Sequence, residues 1–288
     1  MVTDSRELEG MIVKGVGGSY TVLANGVAYE CTPRGIFRNN NVTPLIGDYC
    51  TITATSDTAG ILHTLAPRKN QLIRPPIANI DQAIITVSTA KPAFNPGLLD
   101  RFLALVALED IPAIICVNKS DLSHKPALLA GYQMAGYQII YTSTTTHNGL
   151  DDLRQAMAGK TNVFAGPSGV GKSSIINALH PQLALETGEL SQKLGRGKHT
   201  TRHSQIFALD GADGGYCIDT PGFTSLDTAT ITKQELGDLF IEFREYKGDC
   251  KFGNCLHAKE KDCGIKAQLG VNIHQDRYDS YIKLLENM

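Results

Sequence analysis

Gly166-Pro-Ser-Gly-Val-Gly171-Lys172-Ser173 constrains this chain more than any other segment. It satisfies G-x-x-x-x-G-K-[ST], follows the apolar run Asn162-Val-Phe-Ala165 and precedes the apolar helical run Ile175-Ile-Asn-Ala-Leu179. Strand, loop and helix in that order are the context a phosphate-binding loop requires. Glycines let the backbone wrap closely around phosphate oxygens and aim several N–H groups inward. The helix N-terminus adds a favourable dipole. The expected nucleotide contacts are therefore Gly166, Pro167, Ser168, Gly169, Val170, Gly171, Lys172, Ser173 and Ser174. Lys172 is expected to neutralise the β- and γ-phosphates, and the Ser173 hydroxyl to ligate Mg²⁺.

That loop demands a nucleotide but not a particular base. The base is read at Asn118-Lys119-Ser120-Asp121, which follows the apolar run Ile114-Ile-Cys-Val117. A carboxylate at Asp121 can accept hydrogen bonds from the N1–H and 2-amino groups of guanine, whereas adenine offers no such donor pair. Asn118 can bond the base edge and the Lys119 stem can pack over the ring. Thr142-Ser143-Thr144, after the next apolar run, can supply backbone contacts to the base. Asp219-Thr-Pro-Gly222 fits D-x-x-G at a strand end, with Asp219 holding Mg²⁺ through water and the Gly222 N–H sensing the γ-phosphate. A phosphate-loop ATPase or kinase is the rival enzyme class, and N-K-S-D argues against it.

The order of these motifs is unusual. In a typical GTPase the phosphate loop comes first and N-K-x-D comes late; here N-K-S-D precedes the loop and D-T-P-G comes last. A circular permutation produces this order, and it preserves a fold when the old termini lie close together at the surface. Whatever follows residue 225 is then tethered directly to D-T-P-G.

The flanks differ in texture. Short β-like segments punctuated by Asn25-Gly26 and other turn signals fill residues 1–75 and suggest a small barrel. Pro67-Arg-Lys-Asn-Gln-Leu-Ile-Arg-Pro-Pro76 reads as a linker. From about residue 80 apolar strands alternate with helices, including Leu99, Phe102, Leu103 and Val106 on one helical face, which implies an α/β domain with a mainly parallel sheet. Near the C-terminus, Thr232-Lys-Gln-Glu235 fits a capping box, with Leu236, Leu239, Phe240 and Phe243 on one apolar face. Cys250, Cys255, His257 and Cys263 have the spacing C-x4-C-x-H-x5-C, which matches a closed tetrahedral Cys₃His zinc site of structural type. Loss of that metal is expected to loosen about the last 40 residues. The remaining cysteines, Cys31, Cys50, Cys116 and Cys217, lie in apolar strand-like sequence and are expected to be buried.

At this point the chain resembles the circularly permuted ribosome-assembly GTPases called RsgA or YjeQ. The resemblance spans nearly the whole sequence: the barrel with Thr43-Pro-Leu-Ile-Gly-Asp48, the permuted motifs, Gly195-Arg-Gly-Lys-His-Thr-Thr-Arg202 and the Cys/His loop. It implies an OB-type barrel over 1–75, a permuted GTPase domain over 76–227 and a helical zinc domain over 228–288. It further implies binding to the small ribosomal subunit and its rRNA late in maturation, with GTP hydrolysis stimulated by that contact.

The segment around Gly195 lies where the first switch belongs, and Thr200 or Thr201 can close onto Mg²⁺ and the γ-phosphate. Lys198, His199, Arg202 and His203 can instead touch RNA phosphates. Phe223 stands where many GTPases carry the glutamine that orients water, so intrinsic hydrolysis is expected to be slow. His199 is the candidate replacement, because an imidazole can orient water or shuttle a proton near neutral pH. A different class of function is an RNA-binding assembly factor in which GTP only switches affinity.

With 42% hydrophobic and 19% charged residues in 288, the chain can support a folded core. A net charge of −2 excludes a generally polybasic coat but not local patches. Arg34, Arg38, Arg68, Lys69 and Arg74 are candidates for an RNA-facing stripe, and Phe37 and Tyr49 for base stacking, although half-buried strand aromatics explain them as well. No apolar run approaches the roughly 20 residues that span a bilayer, and the N-terminus carries no signal-like apolar region. The expectation is a cytoplasmic monomer.

Overall fold

The computed structural model describes residues 6–40, 42–183, 205–209, 214–219 and 231–288, and only the backbone of Arg38, Asn39 and Asp219. In chain order the strands and helices begin with β1 (Arg6–Val16), β2 (Ser19–Ala24), β3 (Val27–Pro33), α1 (Ile36–Asn39), β4 (Tyr49–Ala54) and β5 (Ala59–Leu65). They continue through β6 (Gln71–Leu72), β7 (Ile77–Ala78), β8 (Gln82–Ser88), α2 (Pro96–Leu108), β9 (Ala113–Asn118), α3 (Ala130–Met134), β10 (Gln138–Tyr141), α4 (Leu150–Met157), β11 (Thr161–Ala165) and α5 (Lys172–Leu179). After these come β12 (Gln205–Ala208), β13 (Tyr216–Asp219), α6 (Lys233–Leu239), α7 (Gly264–Ala267) and α8 (Gln275–Glu286). The described residues fall into two compact units. One takes them from Met1–Asp81, Met157–Phe164 and Ser191–Phe223; the other from Gln82–Ala156, Ala165–Leu190 and Thr224–Met288.

In the first unit, β1 to β5 close into a barrel. Asn25 and Gly26, at φ 51° and 77°, turn β2 into β3; Gly17 and Gly18, at 61° and 84°, turn β1 into β2. Two residues of positive φ suit a tight hairpin because their twist matches the strands they join. β1 pairs antiparallel with both β2 and β4, β4 pairs antiparallel with β5, and β5 pairs parallel with β3. That parallel pair is where the meander breaks and the barrel closes, as in an OB-type topology. Leu8, Ile12, Val22, Cys31, Phe37, Cys50, Ile52 and Leu62 fill the interior.

The segment expected to be a linker is braced. The Asp48 carboxylate, fully buried, accepts from Arg68 Nε at 2.7 Å and Nη2 at 2.9 Å, and from the Leu45 N–H at 2.7 Å. A bidentate guanidinium offsets the cost of burying that charge. Lys69 Nζ donates to Asp81 at 2.8 Å. Gly47, at φ 90°, lies so close to this brace that a Cβ would sit 2.1 Å from the Ala78 carbonyl oxygen. The Arg68 guanidinium is thus committed to a buried carboxylate, which corrects its reading as a member of an outward stripe; Lys69, its side chain 59% exposed, meets Asp81 at the surface. Phe37 is buried and Tyr49 exposed, so only the second can meet a ligand. In the same unit β13 lies between β11, to which it is parallel, and β12. The register Val163↔Ile218 brings the end of β11, before the phosphate loop, level with the end of β13 at Asp219.

In the second unit β8, β9 and β10 form a parallel sheet with β9 in the middle. β8 is buried along its whole length, as a strand covered on both faces must be. Asn95 caps α2, its Oδ1 accepting from the Leu98 N–H at 3.1 Å, and Pro96 follows at the first helical position. Leu99, Phe102, Leu103 and Val106 are buried, matching the periodicity. The capping box is formed: Thr232 Oγ1 accepts from the Glu235 N–H at 3.3 Å, and Glu235 accepts from the Thr232 N–H at 2.9 Å. α6 stops at Leu239, and Phe240 and Phe243 are buried from the short 3₁₀ turn that follows, not from the helix itself.

One buried ionic cluster ties α8 to the sheet domain. Arg277 donates to Asp100 on α2, and to both Glu242 oxygens at 2.6 and 3.2 Å. Ser280 donates to the other Asp100 oxygen. The guanidinium also lies 4.6 Å from the ring centre of Tyr132 and 4.5 Å from that of Phe240. Burial alone would favour neutral Arg277, but the two carboxylates outweigh it and hold the side chain charged, its pKa above the usual arginine value. No helix among the described residues is long and apolar enough to cross a membrane.

Candidate functional site

Parallel strands present their loops at their C-terminal ends, where ligands of such sheets bind. β9 ends at Asn118, and the chain turns at Lys119, which is held at φ 62°. Asn118 is 1% exposed. Its Nδ2 donates to the Val170 carbonyl at 2.9 Å, and its Oδ1 accepts from Thr142 Oγ1 at 3.2 Å. Lys119 Nζ donates to the Gly169 carbonyl and to the Lys91 carbonyl, both at 2.7 Å. Two residues of N-K-S-D therefore hold two consecutive carbonyls of the phosphate loop. Strain at Lys119 is of the kind that persists where surrounding structure over-determines it.

The loop itself is shaped by its glycines. Gly166 has φ 136°, and a Cβ there would sit 2.1 Å from the Thr86 carbonyl oxygen; at Gly171, φ 98°, a Cβ would sit 2.4 Å from Asn118 Nδ2. At Gly166 another residue would require backbone movement, and at Gly171 it would adopt a disfavoured φ and displace the Asn118 side chain. Val170 is buried and anchors the loop, whereas Ser168 and Gly169 are exposed. Lys172 opens α5 and curls back, Nζ donating to the carbonyls of Gly166 at 2.7 Å and Pro167 at 2.9 Å. Ser173 and Ser174 lie half-buried in the first turn of α5. Ser120 N–H donates to the Thr142 carbonyl at 3.1 Å, and Asp121 stands exposed beyond it. Ser143 is buried, its Oγ accepting from the Thr145 and Thr146 N–H groups at 3.3 and 3.1 Å.

A second constellation lies at the C-terminal end. The donor atoms of Cys250, Cys255, His257 and Cys263 all lie within 4.8 Å of one another, an arrangement that can hold a metal ion. Cys250 Sγ is 3.9 Å from Cys263 Sγ, and His257 Nδ1 is 3.5 and 3.4 Å from those two sulfurs. His257 adopts φ 56° to reach inward. Burial lowers its pKa and keeps the imidazole neutral, the form that ligates. Burial, and then the adjoining thiols, push Cys255 up to about 12, so this sulfur becomes a thiolate only when a cation compensates it. The Gly264 N–H already donates to Cys250 Sγ at 3.3 Å.

Comparison with known proteins agrees with this geometry. The family model for the RsgA GTPase matches residues 65–229, and that for the RsgA N-terminal domain matches residues 9–62. The chain belongs to the RsgA GTPase family. A small ribosomal subunit biogenesis GTPase RsgA of Alkaliphilus metalliredigens is 44% identical over 283 residues, 96% of each chain. Among solved structures, YloQ, a circularly permuted GTPase, is 38% identical with a TM-score of 0.82, covering 100% of this chain and 96% of the other. YjeQ from Thermotoga maritima is 31% identical with a TM-score of 0.84, covering 98% of each. The RsgA family is one of GTP-hydrolysing enzymes, and the permuted order of motifs is its order.

Of the RsgA site residues expected from sequence, those of N-K-S-D, the phosphate loop and the Cys/His cluster are described above. Asp219 ends β13, with only its backbone described. His199, Thr200, Thr201 and Gly222 lie outside the described residues, as does Phe223. Three participants were not anticipated: the Thr142 hydroxyl that braces Asn118, the Lys91 carbonyl that Lys119 grips, and the Thr86 backbone under Gly166. Thr86 lies within β8, Lys91 follows it and Thr142 follows β10, so each reaches the site from a segment distant in sequence.

Proposed function

We propose that this chain hydrolyses GTP to GDP and phosphate during late maturation of the small ribosomal subunit, stimulated by contact with that subunit and its rRNA. The observation that carries this reading is the clasp of Asn118 and Lys119 on Val170 and Gly169, which joins a guanine-reading segment to a phosphate loop. Asp121 accepts from guanine N1–H and the 2-amino group. Asn118 spends one amide N–H on Val170 and keeps the other for the base edge. Ser120 and the Ser143 loop frame the ring. The N–H groups of Gly166 to Ser174 surround the phosphates, and Lys172 neutralises them. Ser173 would ligate Mg²⁺ and Asp219 would hold it through water, and the ion would supply charge compensation on the phosphates; Thr200 or Thr201 and the Gly222 N–H would respond to the γ-phosphate. His199 orients the attacking water, since Phe223 has no polar group to do so. The domains are 1–75, 76–227 and 228–288, and the chain works as a cytoplasmic monomer.

One turnover assay tests this reading. Wild type should hydrolyse GTP slowly alone and about a hundredfold faster or more with small subunits, the lower end of what one positioned general base contributes. His199→Ala should bind GTP yet lose most of the stimulation. Asp121→Asn should shift preference from guanosine to xanthosine nucleotide, because it reverses one partner of the purine 2-substituent. Unstimulated turnover with tight, GTP-dependent subunit binding would favour a switch that uses GTP only to set affinity.

The metal is zinc in this reading. Tetrahedral Zn–S bonds of about 2.3 Å place sulfurs about 3.8 Å apart, close to the 3.9 Å between Cys250 and Cys263. Three thiols and a neutral imidazole form a closed donor set, so the site is structural. Cys255→Ser should abolish zinc binding, measured by metal analysis, and leave GTP affinity within about twofold. The damage should stay local. Arg277 holds α8 on α2 without the metal, so exchange protection should fall around residues 247–270 and persist in α8. Zinc retained at full occupancy would remove Cys255 from the ligand set.

A further inference from the structure

Phe252 is an anomaly. Phe102, Phe164, Phe240 and Phe243 are each at most 1% exposed, yet Phe252 is 54% exposed. It stands between the candidate ligands Cys250 and Cys255, in a turn closed by the Cys255 N–H donating to the Phe252 carbonyl at 3.2 Å. The backbone before it is tied down as well. Lys251 N–H donates to the Asp262 carbonyl at 3.2 Å, and Lys251 Nζ pairs with the Asp262 carboxylate at 3.1 Å. The ring is thus presented on a short loop fastened at both ends, so little order would be lost on binding. Lys251 Nζ lies 5.7 Å from the ring centre.

Charge around the ring favours an anionic partner. Within Cys250–Cys263 the exposed cations are Lys251, Lys259 and Lys261. The two acids are already engaged: Glu260 accepts from the Leu256 and Ala258 N–H groups at 2.8 and 2.9 Å, and Asp262 pairs with Lys251. Lys259 and Lys261 have no carboxylate partner among the described residues. An exposed aromatic on a loop segment that also carries uncommitted lysines is the combination that stacks an unpaired base and tracks its phosphates.

We propose that Phe252 is a stacking platform for an unpaired nucleotide of RNA, with Lys259 and Lys261 on the adjoining phosphates. The inference rests on the ribosomal-subunit reading above and assigns a contact within it. The chain has no tryptophan, so Phe252→Trp creates a single reporter at this position. Full-length, metal-loaded chains would be titrated against purified small subunits with a non-hydrolysable GTP analogue, and pelleting read beside tryptophan emission. Phe252→Ala should weaken subunit binding about tenfold, within the span of base stacking measured by alanine substitution. Phe252→Leu should be as weak, because it keeps apolar volume but loses the flat ring. Phe252→Trp should bind like wild type and be quenched on binding. Wild-type affinity in Phe252→Ala, or an unquenched tryptophan, would overturn the proposal. Full affinity in Phe252→Leu would overturn it in favour of an apolar pocket on a ribosomal protein. Failure of wild type and all variants alike to bind subunits would instead bring down the ribosomal reading itself. Metal content of each variant is read in parallel, and the tryptophan signal decides the matter should Phe252→Ala lose its metal.

Discussion

Lys172→Ala should lower GTP turnover by about two to three orders of magnitude, the usual loss when one preorganised charge or donor is removed from a reacting phosphate or oxyanion. The side chain is half-buried in the first turn of α5, where alanine is the best helix former, so its removal is expected to cost the fold little. Its ammonium is already drawn in over the loop by the Gly166 and Pro167 carbonyls, at 2.7 and 2.9 Å. In the proposed function that preorganisation puts positive charge beside the β- and γ-phosphates and leaves little reorganisation for the moment of reaction. An alanine keeps the glycine-shaped backbone and its N–H groups, so weak nucleotide binding should survive while hydrolysis fails. Single-turnover hydrolysis, nucleotide titration and a thermal melt on one preparation check this. Turnover within tenfold of wild type would mean that the loop binds something other than the reacting phosphates.

Arg277→Met should destabilise the protein by about 3–5 kcal/mol, because it strands two buried carboxylates without a counter-charge. Asp100 is 1% exposed and Glu242 9%, and Arg277 is the cation that both of them bind. The aromatic neighbours Tyr132 and Phe240 tolerate methionine well, which makes the missing charge the main loss. Adding Asp100→Asn and Glu242→Gln to Arg277→Met should therefore recover a large part of the stability, since a neutral cluster no longer carries the uncompensated charge. Denaturant unfolding of the single and triple variants measures both. A single variant within about 1 kcal/mol of wild type would show that the cluster adjusts by taking up a proton instead.

Much of this protein is legible in its sequence because the informative segments are local. The phosphate loop needs particular residues at fixed spacing, and Gly166, Gly171 and Lys172 occupy positions whose backbone angles and contacts follow from that spacing. N-K-S-D, the Thr232–Glu235 capping box, the Asn25-Gly26 hairpin and the Cys/His spacing are equally local. The four isolated cysteines, Cys31, Cys50, Cys116 and Cys217, are all buried as their apolar surroundings require.

Tertiary structure decided the rest. β5 has no strong strand composition; it forms because it pairs with β3 on one side and β4 on the other, which closes the barrel. Arg68 reads in sequence as an outward cation, but the buried carboxylate of Asp48, twenty positions earlier, takes it as its counter-charge. Asn118 ends β9 and Thr142 follows the neighbouring strand β10, and Arg277 and Asp100 are 177 residues apart. Hydrogen bonds and ion pairs between such distant segments leave no periodicity in the chain. Their energy depends on burial and on the exact approach of two side chains, and only the folded backbone determines either.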